Sequence, residues 1–137
     1  MGLLTQLELE FRGDDVEQFL HYFRILCDNF EPAIIKIGAD KERYKEGIKE
    51  LETLAHNLSW AAKRLKLTEI VDFCELCEEL MSQAAKLEGP ASDEFTDWLL
   101  LMSEQFEKYC QSYEKDELVL AYFNPLLVKM PNSLSKL

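Results

Sequence analysis

The sequence predicts an all-α protein whose four long helices form an antiparallel, up-down-up-down four-helix bundle. Apolar residues recur every three or four positions in four long segments, which is the spacing of helices that bury one face. Capping residues or a Gly-Pro break separate these segments, and the connections are short. The chain has 137 residues, enough for one domain with its own core. We therefore predict a single domain over residues 1–137, with the bundle at about 14–113 and an apolar C-terminal extension at 114–137.

The first long helix is predicted to begin near residue 14, where Asp14 and Asp15 can cap it. Its apolar spacing is unbroken across Pro32, which favours one kinked helix over two separate ones. Gly38 is expected to end it. The predicted buried stripe consists of Val16, Leu20, Phe23, Cys27, Phe30, Ile34 and Ile37.

The next two helices are predicted at about 41–65 and 68–87, capped by Asp40 and Thr68. The stripe of the earlier helix is Tyr44, Ile48, Leu51, Ala55, Leu58, Ala62 and Leu65. The later helix has Ile70, Cys74, Cys77, Met81 and Ala84 in its stripe.

The last long helix is predicted to open at Ser92, after the break at Gly89-Pro90. Its stripe is rich in aromatic residues, which indicates core: Phe95, Trp98, Leu99, Met102, Phe106, Cys110 and Tyr113. The alternation of Leu7, Leu9 and Phe11 allows a short strand or a turn of helix.

The C-terminal extension is unexpectedly apolar over residues 118–128. One interpretation is a short helix that covers an open end of the bundle. The other is a docking or dimerisation segment, through which the chain could form an oligomer.

Bulk properties favour a protein partner. The net charge of −11 argues against nucleic acid, whose phosphates require clustered Lys and Arg, and against anionic membrane surfaces. No segment has about 18 consecutive apolar residues, and no secretory signal is visible, so we expect a cytoplasmic protein.

The four cysteines occupy inward positions of their helices and are interpreted as small core residues. Only Cys74 and Cys77 form a pair, and that pair lies within a helix, whereas zinc sites usually draw pairs from turns. We therefore expect no metal and no disulfide.

His56 is the residue that most directly suggests a function. It lies roughly 140° around the helix axis from the centre of its stripe, which predicts an imidazole exposed to solvent. A neutral imidazole nitrogen is nucleophilic and can accept a phosphoryl group. The alternative is a solvated surface histidine without a role.

The residues that follow add a resemblance. After His56 come Leu58, the small pair Ala61 and Ala62, Leu65 and then Leu67-Thr68-Glu69-Ile70-Val71-Asp72-Phe73-Cys74, while Glu31-Pro32 lies upstream. This pattern resembles the histidine-phosphotransfer domain of two-component signalling, a four-helix bundle that carries phosphoryl groups between response-regulator aspartates. The resemblance extends over about 14–113, with specific residues only in 54–80.

The resemblance implies that His56 is a phosphoacceptor and that the partner is a response-regulator receiver domain or a histidine kinase, with no cofactor. No Gly-rich phosphate loop is present, so no intrinsic kinase or hydrolase activity is expected. Asn57, which follows His56, is expected to contact the partner.

Two positions beside His56 differ from the family pattern. Ser59 replaces a Lys three positions after the histidine, and Trp60 replaces a Gly four positions after it. Lys63 and Lys49, two turns after and two turns before His56, are expected to supply the missing positive charge, with Ser59 in support. Glu52, one turn earlier, opposes a dianionic group.

Trp60 raises a second possibility. A bulky exposed indole can shield the imidazole, and tryptophan is common among binding hot spots. The alternative function is therefore a pseudo-phosphotransfer adaptor, which binds a receiver or another signalling protein through Trp60 without transferring phosphate.

Overall fold

The structure is a computed structural model that describes all 137 residues. Five α-helices follow one another along the chain: α1 (Leu3–Glu10), α2 (Gly13–Ala39), α3 (Lys41–Arg64), α4 (Thr68–Ala84) and α5 (Asp93–Glu114). A 3-10 helix spans Pro125–Val128. No strand is present, and one isolated bridge joins Ala91 to Ser135. The prediction of an all-α protein is confirmed.

The long helices bury their apolar stripes in one core. Every residue of the stripes predicted for α3, α4 and α5 is buried. Aromatic rings connect α5 to two neighbours, since Phe106 lies 4.5 Å from Phe73 of α4 and 5.3 Å from Phe30 of α2, measured between ring centroids. The periodicity therefore identified the core faces of three helices correctly.

The stripe predicted for α2 needs a correction. Leu20 and Cys27 are only partly buried, whereas Phe19, Leu26 and Ala33 are fully buried. The reason is that α2 packs against both α3 and α5, so its buried face is wider than one narrow stripe and its centre is displaced. The helix continues through Pro32 as one element, as predicted.

Two predicted helix caps are confirmed and two are wrong. Asp40 accepts a hydrogen bond from the backbone N–H of Arg43 at 2.8 Å, and Ser92 accepts one from Phe95 at 3.1 Å. In contrast, α2 begins at Gly13, so Asp14 and Asp15 lie inside its first turn.

Thr68 is likewise the first helical residue of α4, not its cap. Leu67 occupies the cap position without a side-chain hydrogen bond. Carboxylates in a first turn still favour a helix because they face its positive end. Glu69 has that position in α4.

The two ends of the chain pack on α5. The segment around Leu7 is helical, not extended, and Leu7 is buried. Between α5 and the 3-10 helix the C-terminal extension has turns and bends but no helix or strand, and within the 3-10 helix only Leu127 is buried. Several apolar side chains of the extension remain exposed: Leu118, Val119, Tyr122, Leu126 and Val128.

All four cysteines are free thiols, and Cys27 is the one that is not fully buried. Hydrogen bonding with Cys110 and burial raise the pKa of the Cys27 thiol. Burial also raises the pKa values of Cys74 and Cys77. Because thiolates are the nucleophilic and metal-binding forms, these environments favour thiols that act as packing groups.

Candidate functional site

The imidazole of His56 projects from the middle of α3 into solvent. Its side chain is 70% exposed, while Ala55 and Leu58 on the same helix are fully buried. The apolar stripe that fixes the inward face of α3 therefore fixes the outward position of His56.

A carboxylate on the neighbouring helix orients this ring. The Nδ1 atom of His56 lies 2.8 Å from Oε1 of Glu78 in α4. An ionised carboxylate can only accept a hydrogen bond, so Nδ1 carries the proton and donates a hydrogen bond to Glu78. In the neutral ring, the lone pair is then on Nε2. Sequence reasoning missed Glu78, because its role depends on how α3 and α4 align.

The other charges near His56 are mainly acidic. Lys63, predicted to support a phosphoryl group, has its Nζ 3.9 Å from Oε1 of Glu75 in α4. Both side chains are more than half exposed, so this ion pair contributes little to stability. Glu52 lies one turn before His56 and is partly buried. A phosphoryl group on His56 would therefore meet more negative than positive charge from this chain.

Ser59 and Asn57 lie away from the fully exposed surface. Ser59 is 2% exposed, and its Oγ has no hydrogen-bond partner. A phosphoryl group on His56 would lie in the solvent. The hydroxyl of Ser59 is buried and does not reach that solvent, so we exclude Ser59 from the site. Asn57 is partly buried.

Trp60 is held at the surface by an arginine. Its side chain is 45% exposed, and the guanidinium of Arg64 lies 5.0 Å from the centre of the indole, a cation–π distance. The same guanidinium pairs with Asp15 of α2, with Nη2 and Oδ1 3.1 Å apart. Trp60 is thus a partly exposed aromatic group with a restricted orientation.

No group of three or more His, Cys, Asp or Glu side chains is arranged to hold a metal ion. None of the helices combines the length and apolar character needed to cross a lipid bilayer. Searches with models of protein families, among curated proteins and among solved structures found no match to this chain.

Proposed function

We propose that this protein is a cytoplasmic signalling protein of the histidine-phosphotransfer type, with His56 as its phosphoacceptor. The observation that carries the proposal is the contact between Nδ1 of His56 and Glu78, because it leaves Nε2 of an exposed imidazole free to act as a nucleophile. In this proposal α2 to α5 form the up-down-up-down four-helix bundle.

Contacts between the long helices support that arrangement. Asp15 near the start of α2 contacts Arg64 at the end of α3, while Lys36 near the end of α2 contacts Glu46 near the start of α3. This order is that of antiparallel neighbours. His56 lies between these two ends of α3, on a rigid element that suits a presented nucleophile.

The chemical step requires a nucleophile in line with a phosphoryl group. The Nε2 lone pair of His56 attacks the phosphorus of an acyl phosphate on a receiver aspartate, the bond from phosphorus to the aspartate oxygen breaks, and the carboxylate leaves. Attack places positive charge on the imidazole. Glu78 stabilises that charge through Nδ1–H, as a carboxylate does for a catalytic histidine.

The reverse reaction passes the group to another receiver. Because Glu78 contacts His56 and Lys63 is paired with Glu75, the receiver must supply most of the stabilisation of the transferring group. The chain itself needs only to present the ring, which is consistent with a carrier that has no cofactor.

Phosphotransfer to His56 can be measured directly. The protein is incubated with a radioactively phosphorylated receiver domain, and the label on the protein is tested for the acid lability and base stability of phosphohistidine. We expect label on the wild type and none on His56→Gln. His21→Gln is the matched control, because His21 is the other histidine and is also exposed. Label that persists in His56→Gln, or its absence from wild type that binds the receiver, contradicts the carrier function.

The position of Trp60 favours a second candidate, an adaptor that binds a receiver without chemistry. A restricted and partly exposed indole can anchor a partner at a small entropic cost. If this function holds, Trp60→Ala weakens receiver binding by about thirtyfold or more, corresponding to a hot spot of about 2 kcal/mol. His56→Gln binds as wild type does. Unchanged binding by Trp60→Ala contradicts the adaptor.

A further inference from the structure

The C-terminal extension presents an apolar surface that the rest of the chain does not cover. Five of its side chains are each between 65% and 94% exposed, and together we call them the apolar face: Leu118, Val119, Tyr122, Leu126 and Val128. Other strongly exposed apolar residues are spread over different helices, such as Leu9 on α1 and Ile35 on α2. Single exposed residues need no explanation, whereas a group in one short segment indicates a contact surface.

The extension is fixed on α5, so the apolar face is a defined surface. The side chain of Gln105 in α5 is buried. Its Nε2 donates to the carbonyl of Tyr122 at 3.1 Å, and its Oε1 accepts from the N–H of Asn124 at 2.6 Å. Leu127 is buried although both of its neighbours are exposed. These contacts set the inward side of the segment, and the apolar face is preorganised on the outward side.

The distribution of charge distinguishes the extension from the helices. Residues 118–137 contain no Asp or Glu and carry Lys129 and Lys136, so all 26 acidic residues of the chain lie before residue 118. Because the net charge is −11, two copies of the chain repel each other when they approach through their helices. The extension is the part of the chain through which two copies can meet with the least repulsion.

The area of the apolar face is sufficient for a weak dimer. At their exposed fractions, the five residues present on the order of 700 Å² per copy. Specific interfaces bury about 1,200–2,000 Å² in total, and two such faces reach the lower end of that range. Interfaces of this size are commonly transient, so we expect a dimer that forms at micromolar concentration.

We propose that the apolar face is the contact surface of a symmetric dimer, in which the extension of one copy packs against the extension of a second copy. A two-fold axis lets the same face serve both copies, so each covers the apolar side chains of the other. Removal of apolar area from water supplies the favourable free energy. A basic protein would be attracted to the acidic helices instead, and an anionic membrane would repel a chain of this charge.

Sedimentation velocity on the full chain measures the association. We expect the mass to rise from 16.0 kDa to twice that value as the protein concentration increases from about 1 μM to about 200 μM. The dimer should strengthen when sodium chloride is raised from about 0.05 M to about 0.5 M, because salt screens the repulsion between two acidic copies. A protein that stays monomeric over this range, or a dimer that salt weakens, overturns the proposal.

Matched variants test whether the apolar face forms the contact. Leu126→Glu should weaken the dimer at least about tenfold, because symmetry places two new carboxylates in one interface. Ile35→Glu is the control, since Ile35 is 65% exposed, as Leu126 is, and lies on α2. Circular dichroism checks that both variants are folded. An unchanged dimer in Leu126→Glu, or an equal loss in Ile35→Glu, overturns the proposal.

Co-sedimentation with vesicles tests whether lipid covers the apolar face instead. The vesicles contain phosphatidylcholine alone or a mixture with phosphatidylglycerol, and we expect binding to neither. A monomer that binds vesicles and loses this binding in Leu126→Glu identifies a lipid contact and overturns the proposal. A monomer that binds no vesicles overturns it as well and leaves another protein as the occupant of the face.

Discussion

Ser59 and Ser112 are two buried helical serines with opposite hydrogen-bonding states. Ser59 has no partner for Oγ, whereas Ser112 donates to the carbonyl of Lys108 and accepts from the N–H of Ala121, each at 3.0 Å. A buried polar group without a partner costs about 1–3 kcal/mol. The same substitution should therefore have opposite effects at the two positions.

We expect Ser59→Ala to raise the free energy of unfolding by about 1 kcal/mol, because it removes an unsatisfied hydroxyl. Ser112→Ala should lower the free energy of unfolding by about 1 kcal/mol, because it leaves the N–H of Ala121 without its acceptor. Urea denaturation measures both values. Destabilisation by Ser59→Ala would show that its hydroxyl has a partner.

The candidate site could be predicted only in part from the sequence. The exposure of His56 follows from the period of α3, since each stripe position fixes the direction of its neighbours. Glu78 could not be found in this way, because it lies 22 residues further along the chain and its contact depends on the alignment of two helices. Ser59 was assigned to the site although it is buried, because the buried face of α3, which packs against both α2 and α4, is wider than the predicted stripe.

At the scale of the helices, the ionisation of Asp40, the N-cap of α3, makes the stability of the start of α3 depend on pH. Two hydrogen bonds from Arg43 lower the pKa of Asp40 below its ordinary value of 3.8, and the one from the backbone N–H has a larger effect than the one from the side chain. A carboxyl with a lowered pKa contributes stability above the ordinary value, and this contribution is lost as pH falls through the lowered value.

We expect the stability difference between wild type and Asp40→Asn to shrink between about pH 6 and about pH 3, since Asn still caps a helix but does not titrate. Urea denaturation at both pH values measures the difference. If the stability difference between the two proteins is the same at both pH values, the ionisation of Asp40 does not contribute to stability.

The C-terminal extension is fastened to α5 mainly by side chains. Gln105 bonds the backbone of Tyr122 and Asn124, and Ser112 bonds that of Ala121. We expect Gln105→Ala to release the segment and increase its cleavage by chymotrypsin at Tyr122 several-fold, because local opening exposes it to the protease. Gln83→Ala, at an exposed position of α4, is the control. Equal cleavage of the two variants contradicts this role of Gln105.

The elements that the sequence predicted well are those with one buried face. In α3, α4 and α5, the three-four spacing coincides with burial. In α2 the spacing admits several overlapping stripes, and only the presence of both α3 and α5 decides which residues are central. The N-terminal segment was ambiguous because a short helix and a short strand share its few apolar positions.

For the whole molecule, the net charge of −11 opposes the compact state through self-repulsion. Most ion pairs are at the surface and contribute little. We expect the urea midpoint to rise when sodium chloride is increased from about 0.02 M to about 0.5 M, because salt screens the repulsion. A fall in the midpoint would show that attractive pairs outweigh the net charge.

The tautomer of His56 in the intact protein tests the central claim most directly. Long-range ¹H–¹⁵N NMR of the neutral imidazole distinguishes a proton on Nδ1 from one on Nε2. We expect His56 to carry its proton on Nδ1 in the wild type and to lose this preference in Glu78→Ala, while His21 shows the same spectrum in both proteins. A proton on Nε2 of wild-type His56 would contradict the claim, because the exposed nitrogen would then lack the lone pair needed to accept a phosphoryl group.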